Sequence, residues 1–398
     1  MVVAVSLHGY AETTVGELVG LAGVSKSTFY EHFDSKEACF FATFETIVDE
    51  ITARVGIAFR SETDLRERLA ASMARFAEIL AGESAAASLV VVDSLSLGPA
   101  AIGPRERAAG AFEVMFRQSF ERSDGEAEPP SDLALRAIVA GIRRVVYRCL
   151  RADCPEEVSD HLDQLLDWAL TYQGPVAPTP TSVPRRPQSP PASSPTVEEL
   201  DWEEPADSAR SRATLTQRER IVRAAAQVAA ENGYVSLTIP AISAASGTSN
   251  QTFYEHFDGK EQPFLAAFDE LARRALRATA GSSAAGSDWR ASVEDGMRGL
   301  LEHLVADPNF ARLAFFELPT AGAAALDRAD LAIQRFTGFL EPEALPDGLA
   351  ALPPVVVEAI GGGMWAVIQH EIAAGRLSSL PEIAPEISAI ALTPFGPR

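Results

Sequence analysis

Apolar residues recur three and four positions apart along most of the chain, and the strict alternation of a half-buried strand is scarce. In the first half this pattern predicts two short helices around Gly23. Long ones follow over Lys36–Phe59, Leu65–Ala81, Ala85–Leu97, Arg105–Phe120, Asp132–Arg151 and Glu156–Tyr172. The second half begins with a helix from Thr216 to Gly233 and two short helices around Gly247. It continues with Lys260–Arg277, Trp289–Ala306, Ala311–Leu318, Leu326–Leu340, Val355–Arg376 and Pro381–Leu392. Capping boxes mark several starts: Thr14 with Glu17, Asp34 with Glu37, and Thr216 with Glu219. The expected fold class is all-α.

The two halves repeat one another. Residues 29–37 read Phe-Tyr-Glu-His-Phe-Asp-Ser-Lys-Glu, and residues 253–261 read Phe-Tyr-Glu-His-Phe-Asp-Gly-Lys-Glu. At that offset of 224 residues, 17 of 40 positions are identical between His8–Ile47 and Asn232–Leu271, which identifies a duplicated domain and not a solenoid. A helix, a Gly turn and a helix of about two turns is the helix-turn-helix pattern, and it occurs in both copies. The expected division is a first helix-turn-helix head over residues 1–47 and a helical body over 48–173. A linker over 174–213 leads to a second head over 214–271 and a second body over 272–398. The opening helix of the first copy is shorter than its counterpart by about two turns. Either its true start lies upstream or the first unit is degenerate. Residues 174–207 hold nine prolines and an acidic cluster, a composition that cannot bury a core and predicts a stiff, extended linker.

Composition changes this picture in one respect. A net charge of −21 argues against a broad basic surface for nucleic acid. The acids are unevenly spread, however. Residues 209–262 carry six Lys and Arg against five acids, whereas residues 1–37 carry only Lys26 and Lys36 against five. Phosphates respond to charge within a Debye length of about 10 Å, so the second head keeps the better local balance. Three cysteines (Cys39, Cys149, Cys154) form no Cys-x-x-Cys pair and read as free thiols in a reducing, cytoplasmic setting. No metal site is expected, because His161, His303 and His370 lack a second ligand at suitable spacing. The sequence offers no catalytic cluster of titratable residues and no cofactor motif, so no enzymatic role and no cofactor are expected.

Each second short helix presents Phe29 and Phe33, or Phe253 and Phe257, on its inner side. Hydroxyl, imidazole and ammonium donors suited to phosphate oxygens lie on the other. Asn250 and Gln251 each combine a donor with an acceptor, as an adenine edge requires. The stretch Gly-Val-Ser-Lys-Ser-Thr-Phe-Tyr-Glu-His-Phe-Asp-Ser-Lys-Glu resembles the recognition segment of the TetR/AcrR family of bacterial transcriptional regulators, and it does so twice in register. The resemblance implies a three-helix DNA-binding head followed by a helical domain that binds a small effector and dimerises through its last two helices. It also implies phosphate contacts from Thr28, Tyr30, His32 and Lys36, and from Thr252, Tyr254, His256 and Lys260. Lys26, Ser27, Asn250 and Gln251 then lie near the bases, and Ser25 and Ser249 belong to the same DNA-binding set.

Past residue 50 the resemblance is only a helical pattern. Asp93 and Glu317 align in the repeat as candidate polar anchors of an effector pocket; Phe315, Phe316 and Trp365 are its candidate lining, with simple core packing as the alternative. Small residues at Ala140-Gly141 and Gly361-Gly362-Gly363 fit close approach of dimerising helices or ordinary helix packing. Two fused units can fold back into an intramolecular pseudo-dimer that presents its heads one DNA turn apart, or pair with a second chain as a homodimer. The pseudo-dimer is favoured. The expected function is sequence-specific binding of a double-stranded DNA operator, as a repressor relieved by a small-molecule effector. The alternative is a ligand-sensing or heterodimerising partner with one or both heads degenerate.

Overall fold

The computed structural model describes residues 1–121, 129–173, 216–282 and 288–396; the predicted linker lies outside them. Among the described residues every regular element is helical. The first copy runs α1 (Val2–Glu12), α2 (Val15–Ala22), α3 (Lys26–His32), α4 (Lys36–Ser61), α5 (Leu65–Gly82) and α6 (Ser84–Val91). A 3-10 stretch (Asp93–Ala101) leads to α7 (Ile102–Glu121), α8 (Asp132–Arg151), α9 (Glu157–Asp160) and α10 (Leu162–Leu170). The second copy follows with α11 (Gln217–Asn232), α12 (Ile239–Ser246), α13 (Asn250–Tyr254), α14 (Glu261–Ser282), α15 (Trp289–Ala306) and α16 (Pro308–Arg312). A π-helical turn (Leu313–Glu317) then precedes α17 (Ala323–Phe336), α18 (Pro354–Ala373) and α19 (Ala384–Leu392).

These helices form two compact units whose boundary does not coincide with that of the repeat. One joins the first copy to the chain from Gly322 onward; the other holds the second head with α14 to α16 and ends at Ala321. The expected second body over 272–398 is therefore divided at Gly322, and its last three helices are built into the unit of the first copy.

In the first unit α8 lies along α18, with α10 and α19 beside them. Glycines permit this approach. A Cβ on Gly141 would sit 2.5 Å from the Ala359 carbonyl oxygen, and one on Gly363 would sit 2.5 Å from that of Ala137. The two contacts are reciprocal, as a pseudo-two-fold axis between α8 and α18 requires. The flanks are ionic. Arg148 donates to Glu358 at 2.8 Å, Arg151 pairs with Asp327 at 2.7 Å and Asp330 at 3.0 Å, and Arg144 pairs with Asp330. Buried Tyr172 donates its hydroxyl to the Ile390 carbonyl at 2.6 Å.

Both heads are built in the same way. In the first, Ala4, Leu18, Val19 and Phe29 form a small core closed by Val15, Phe33 and Cys39. α1 breaks at Gly9 (φ 75°, ψ 164°), the position aligned with Gly233 (φ 82°, ψ 153°), where α11 stops. In the second unit Ile221, Ala225, Val228 and Ala229 of α11 are buried, and α11 packs on α12 and α14.

Candidate nucleic-acid interface and ligand cavity

The two recognition helices are set by the same local chemistry. Thr14 and Thr238 cap α2 and α12 by accepting from the N–H groups of Glu17 and Ala241 at 3.2 and 3.3 Å. Gly23 (φ 67°) and Gly247 (φ 66°) end those helices in the left-handed region, where a side chain would be strained. Val24 and Thr248 then donate back to the carbonyls of Val19 and Ser243 at 3.1 and 3.0 Å, closing the turn. Ser25 and Ser249 cap the recognition helices with identical backbone angles (φ −81°, ψ 159°), accepting from Thr28 and Thr252. Phe29 and Phe253 anchor the inner faces. The outer faces are left to solvent: Tyr30 is 55% and Tyr254 59% exposed, large values for aromatic rings. Each ring stands edge-on to its anchoring Phe, at 5.3 and 5.6 Å between centroids.

On the same surfaces His32 and His256 are exposed, as are Ser25, Lys26 and Ser27 in the first head and Ser249, Asn250 and Gln251 in the second. Thr28 and Thr252 have their hydroxyls within 3.0 Å of the capping serines. The two lysines are placed differently. The Lys36 ammonium donates to the carbonyls of Tyr10, Ala11 and Thr13 at 2.8, 3.3 and 2.8 Å and lies over the Tyr10 ring. Lys260 does the same with Tyr234, Val235 and Leu237 and the Tyr234 ring. Desolvation lowers the pKa of both. All three donors of each ammonium are thus turned onto backbone carbonyls within the head. α13 also stops at Tyr254, short of the expected Phe257, although Phe257 remains buried.

A cavity of about 150 Å³ lies in the body of the first copy, between α4, α5, α6, α7 and α8. Its walls are apolar, with Phe59, Phe76, Phe112 and Phe116 prominent, and Arg105, Arg143 and Ser72 supply the polar exceptions. Among the described residues neither guanidinium has a hydrogen-bond or ion-pair partner. Desolvation together with the Arg143 charge brings Arg105 down to about 9, and burial lowers Arg143 as well. At about 9, Arg105 remains cationic at neutral pH. Glu106 and Glu113 offset part of the desolvation cost by charge alone, and an anion in the cavity would offset more of it.

The pocket residues expected from sequence lie elsewhere. None of Asp93, Phe315, Phe316, Glu317 and Trp365 lines this cavity. Phe315 is buried core. Glu317, delivered by the π-helical turn, accepts from the Tyr234 N–H at 2.8 Å and from Arg312 at 3.5 Å, so it ties the end of α11 to the following helices within its unit. Asp93, one methylene shorter, makes no side-chain hydrogen bond among the described residues, and burial pushes it up to about 6. The cavity escapes sequence reading because its residues have the same three-and-four spacing as core. The available signal is Arg105 and Arg143, each set within an otherwise apolar helical face.

The arginines have no equivalents in the second copy. The reciprocal glycine contacts align α8 with α18 at an offset of 222 residues, placing Trp365 opposite Arg143. Gly98 and Gly322, both at positive φ, align α7 with α17 at 224 and place Ala329 opposite Arg105.

Residues 4–43 and 221–267 each match the family profile TetR_N, bacterial regulatory proteins of the tetR family. The HTH-type transcriptional activator FasR of Mycolicibacterium smegmatis is 35% identical over 77 residues, which make up 19% of this chain and 35% of that protein. The chain thus matches about a third of that relative's length. Among solved structures, the fatty acid degradation regulator FadR of Bacillus halodurans is similar at 16% identity and a TM-score of 0.37, over 46% of this chain and 99% of its own. FadR of Bacillus subtilis, in complex with stearoyl-CoA, is similar at 15% identity and a TM-score of 0.37, over 45% of this chain and 98% of its own.

Proposed function

We propose that the chain is a tandem regulator of the TetR family, whose profile matches both heads, and that it binds an operator through both heads and releases it when an amphipathic anion enters the first body. The observation that carries the DNA reading is the duplicated outer face, Tyr30 with His32 and Tyr254 with His256, exposed on recognition helices with matching caps. The packing of α8 on α18 inside one unit supports an intramolecular pseudo-dimer, because the surface that would pair two chains is occupied by the chain's own second copy. Tyr and His hydroxyl and imidazole groups hold phosphates, while Asn250 and Gln251 read bases in the second half-site and Lys26 and Ser27 in the first. Lys36 and Lys260 act indirectly, by fixing the backbone that precedes α2 and α12.

The cavity supports an effector with an apolar tail and an anionic end: aromatic walls accept the tail and Arg105 with Arg143 accept the charge. Since the second copy has Ala329 and Trp365 at those positions, one effector binds per chain. Its binding favours a head arrangement that no longer fits both half-sites, and repression is relieved by the coupling energy, typically about 1–3 kcal/mol.

The test is binding of the purified chain to genomic fragments selected by the chain itself, at fixed salt. Tyr30→Ala/His32→Ala and Tyr254→Ala/His256→Ala are each expected to weaken binding roughly tenfold, the loss of two phosphate hydrogen bonds. Palmitoyl-coenzyme A is expected to release the DNA. A chain that selects no discrete site, or whose binding survives both substitutions, is instead a sensing partner without operator activity. The acidic balance of the first head is the feature that favours that reading.

A further inference from the structure

We propose that the end of α8 is a binding site for a divalent transition metal of the zinc class, held by Cys149, Cys154 and Glu157. Cys149 is fully buried on the last turn of α8. The helix then reverses through Asp153, which has a φ of 56°, the left-handed region usually left to glycine. Two hydrogen bonds fix that reversal: Asp153 N–H to the Leu150 carbonyl at 3.2 Å, and Cys154 N–H to the Cys149 carbonyl at 2.9 Å. The result is to fold the second thiol back over the first. Glu157, at the start of α9, donates its N–H to the Cys154 carbonyl at 3.1 Å and turns its carboxylate to the same place. The two sulfurs and a carboxylate oxygen lie within 4.8 Å of one another.

Two thiolates and a carboxylate form a donor set that zinc accepts, with metal–sulfur bonds of about 2.3 Å, so modest side-chain rotation closes the site. A water can supply the fourth ligand. Three anionic ligands exceed the charge of one divalent ion, and Arg148 stands ready to balance the excess. Its guanidinium is 3.9 Å from Glu157, 3.4 Å from His161 Nε2 and 2.8 Å from Glu358 on α18. Each thiol releases its proton to solvent as the metal binds. The turn brings together two of the chain's three thiols. Cys149 lies on the helix that packs against α18, so occupancy would stiffen that junction.

The test adds Co²⁺ to the reduced full-length chain and follows thiolate-to-cobalt charge-transfer absorption, with Zn²⁺ as competitor. One equivalent of Co²⁺ is expected to saturate the band and one of Zn²⁺ to abolish it. Cys154→Ser, at a half-exposed position that leaves the core intact, should remove the band, and Glu157→Gln should weaken binding at least tenfold. Cys39→Ser, remote from the turn, should leave it unchanged. Absence of the band in wild type overturns the proposal, as does its persistence in Cys154→Ser or its loss in Cys39→Ser.

Discussion

An ammonium can hold a phosphate or a row of carbonyls, and in both heads the lysine after the recognition helix holds carbonyls. Sequence pattern specifies that a lysine stands at 36 and 260; it does not specify where three donors find acceptors, because that depends on how the end of the first helix presents its backbone. Arg105 and Arg143 pose the converse case, donors with no acceptor among the described residues. Removing a partly desolvated charge relieves desolvation, whereas removing a ligand contact weakens binding. Arg105→Met and Arg143→Met should therefore each stabilise the chain by about 1 kcal/mol in urea denaturation. Each should also lower its affinity for palmitoyl-coenzyme A by tenfold or more in fluorescence titration. Loss of stability together with loss of binding would instead make the arginines part of the core.

Most elements are legible in the sequence, since caps and period agree. Thr14 and Thr216 start helices where expected, and α8 begins and ends on the predicted residues. Irregular pieces are not. The segment expected as one helix over Ala311–Leu318 is a short α-helix, a π turn and a 3-10 turn in succession, because delivering Glu317 to the Tyr234 N–H requires a wider turn than periodicity encodes. The apolar stretch Ser84–Glu121 is long and apolar enough by composition to cross a membrane. In the fold it breaks at Gly98 (φ 54°), and part of its apolar face lines the cavity. The helix pair α8 and α18 offers the sharpest test at this scale. Gly141→Ala drives a methyl into the Ala359 carbonyl and the Trp168 ring, and should cost about 1–3 kcal/mol or more. Gly110→Ala in α7, with nothing within 4 Å of the added carbon, should stabilise by about 0.5–1 kcal/mol. Equal effects at the two sites would mean that α8 and α18 do not pack closely enough to exclude a methyl.

At the scale of the whole molecule, duplication has made the two copies unequal. Gly141 and Gly363 keep the reciprocal contacts of a two-fold pair, but the ionic flanks do not repeat. Arg144, Arg148 and Arg151 all come from the first copy, and their partners Asp327, Asp330 and Glu358 all come from the second. An interface with cations on one side and anions on the other attracts the unlike copy and offers a second first copy only repulsion. Homodimers of separate units would face like charges across the axis; fusion removes that constraint, because the partner is fixed by the chain. The chain should therefore sediment as a monomer at concentrations that saturate its operator, and one chain should protect both half-sites. Reversing the flank with Arg144→Glu and Arg148→Glu should weaken the α8–α18 junction and lower affinity for the two-half-site operator. It should affect binding to an isolated second half-site far less. A stoichiometry of two chains per operator, measured by sedimentation of the complex, would assign pairing to surfaces outside α8 and α18.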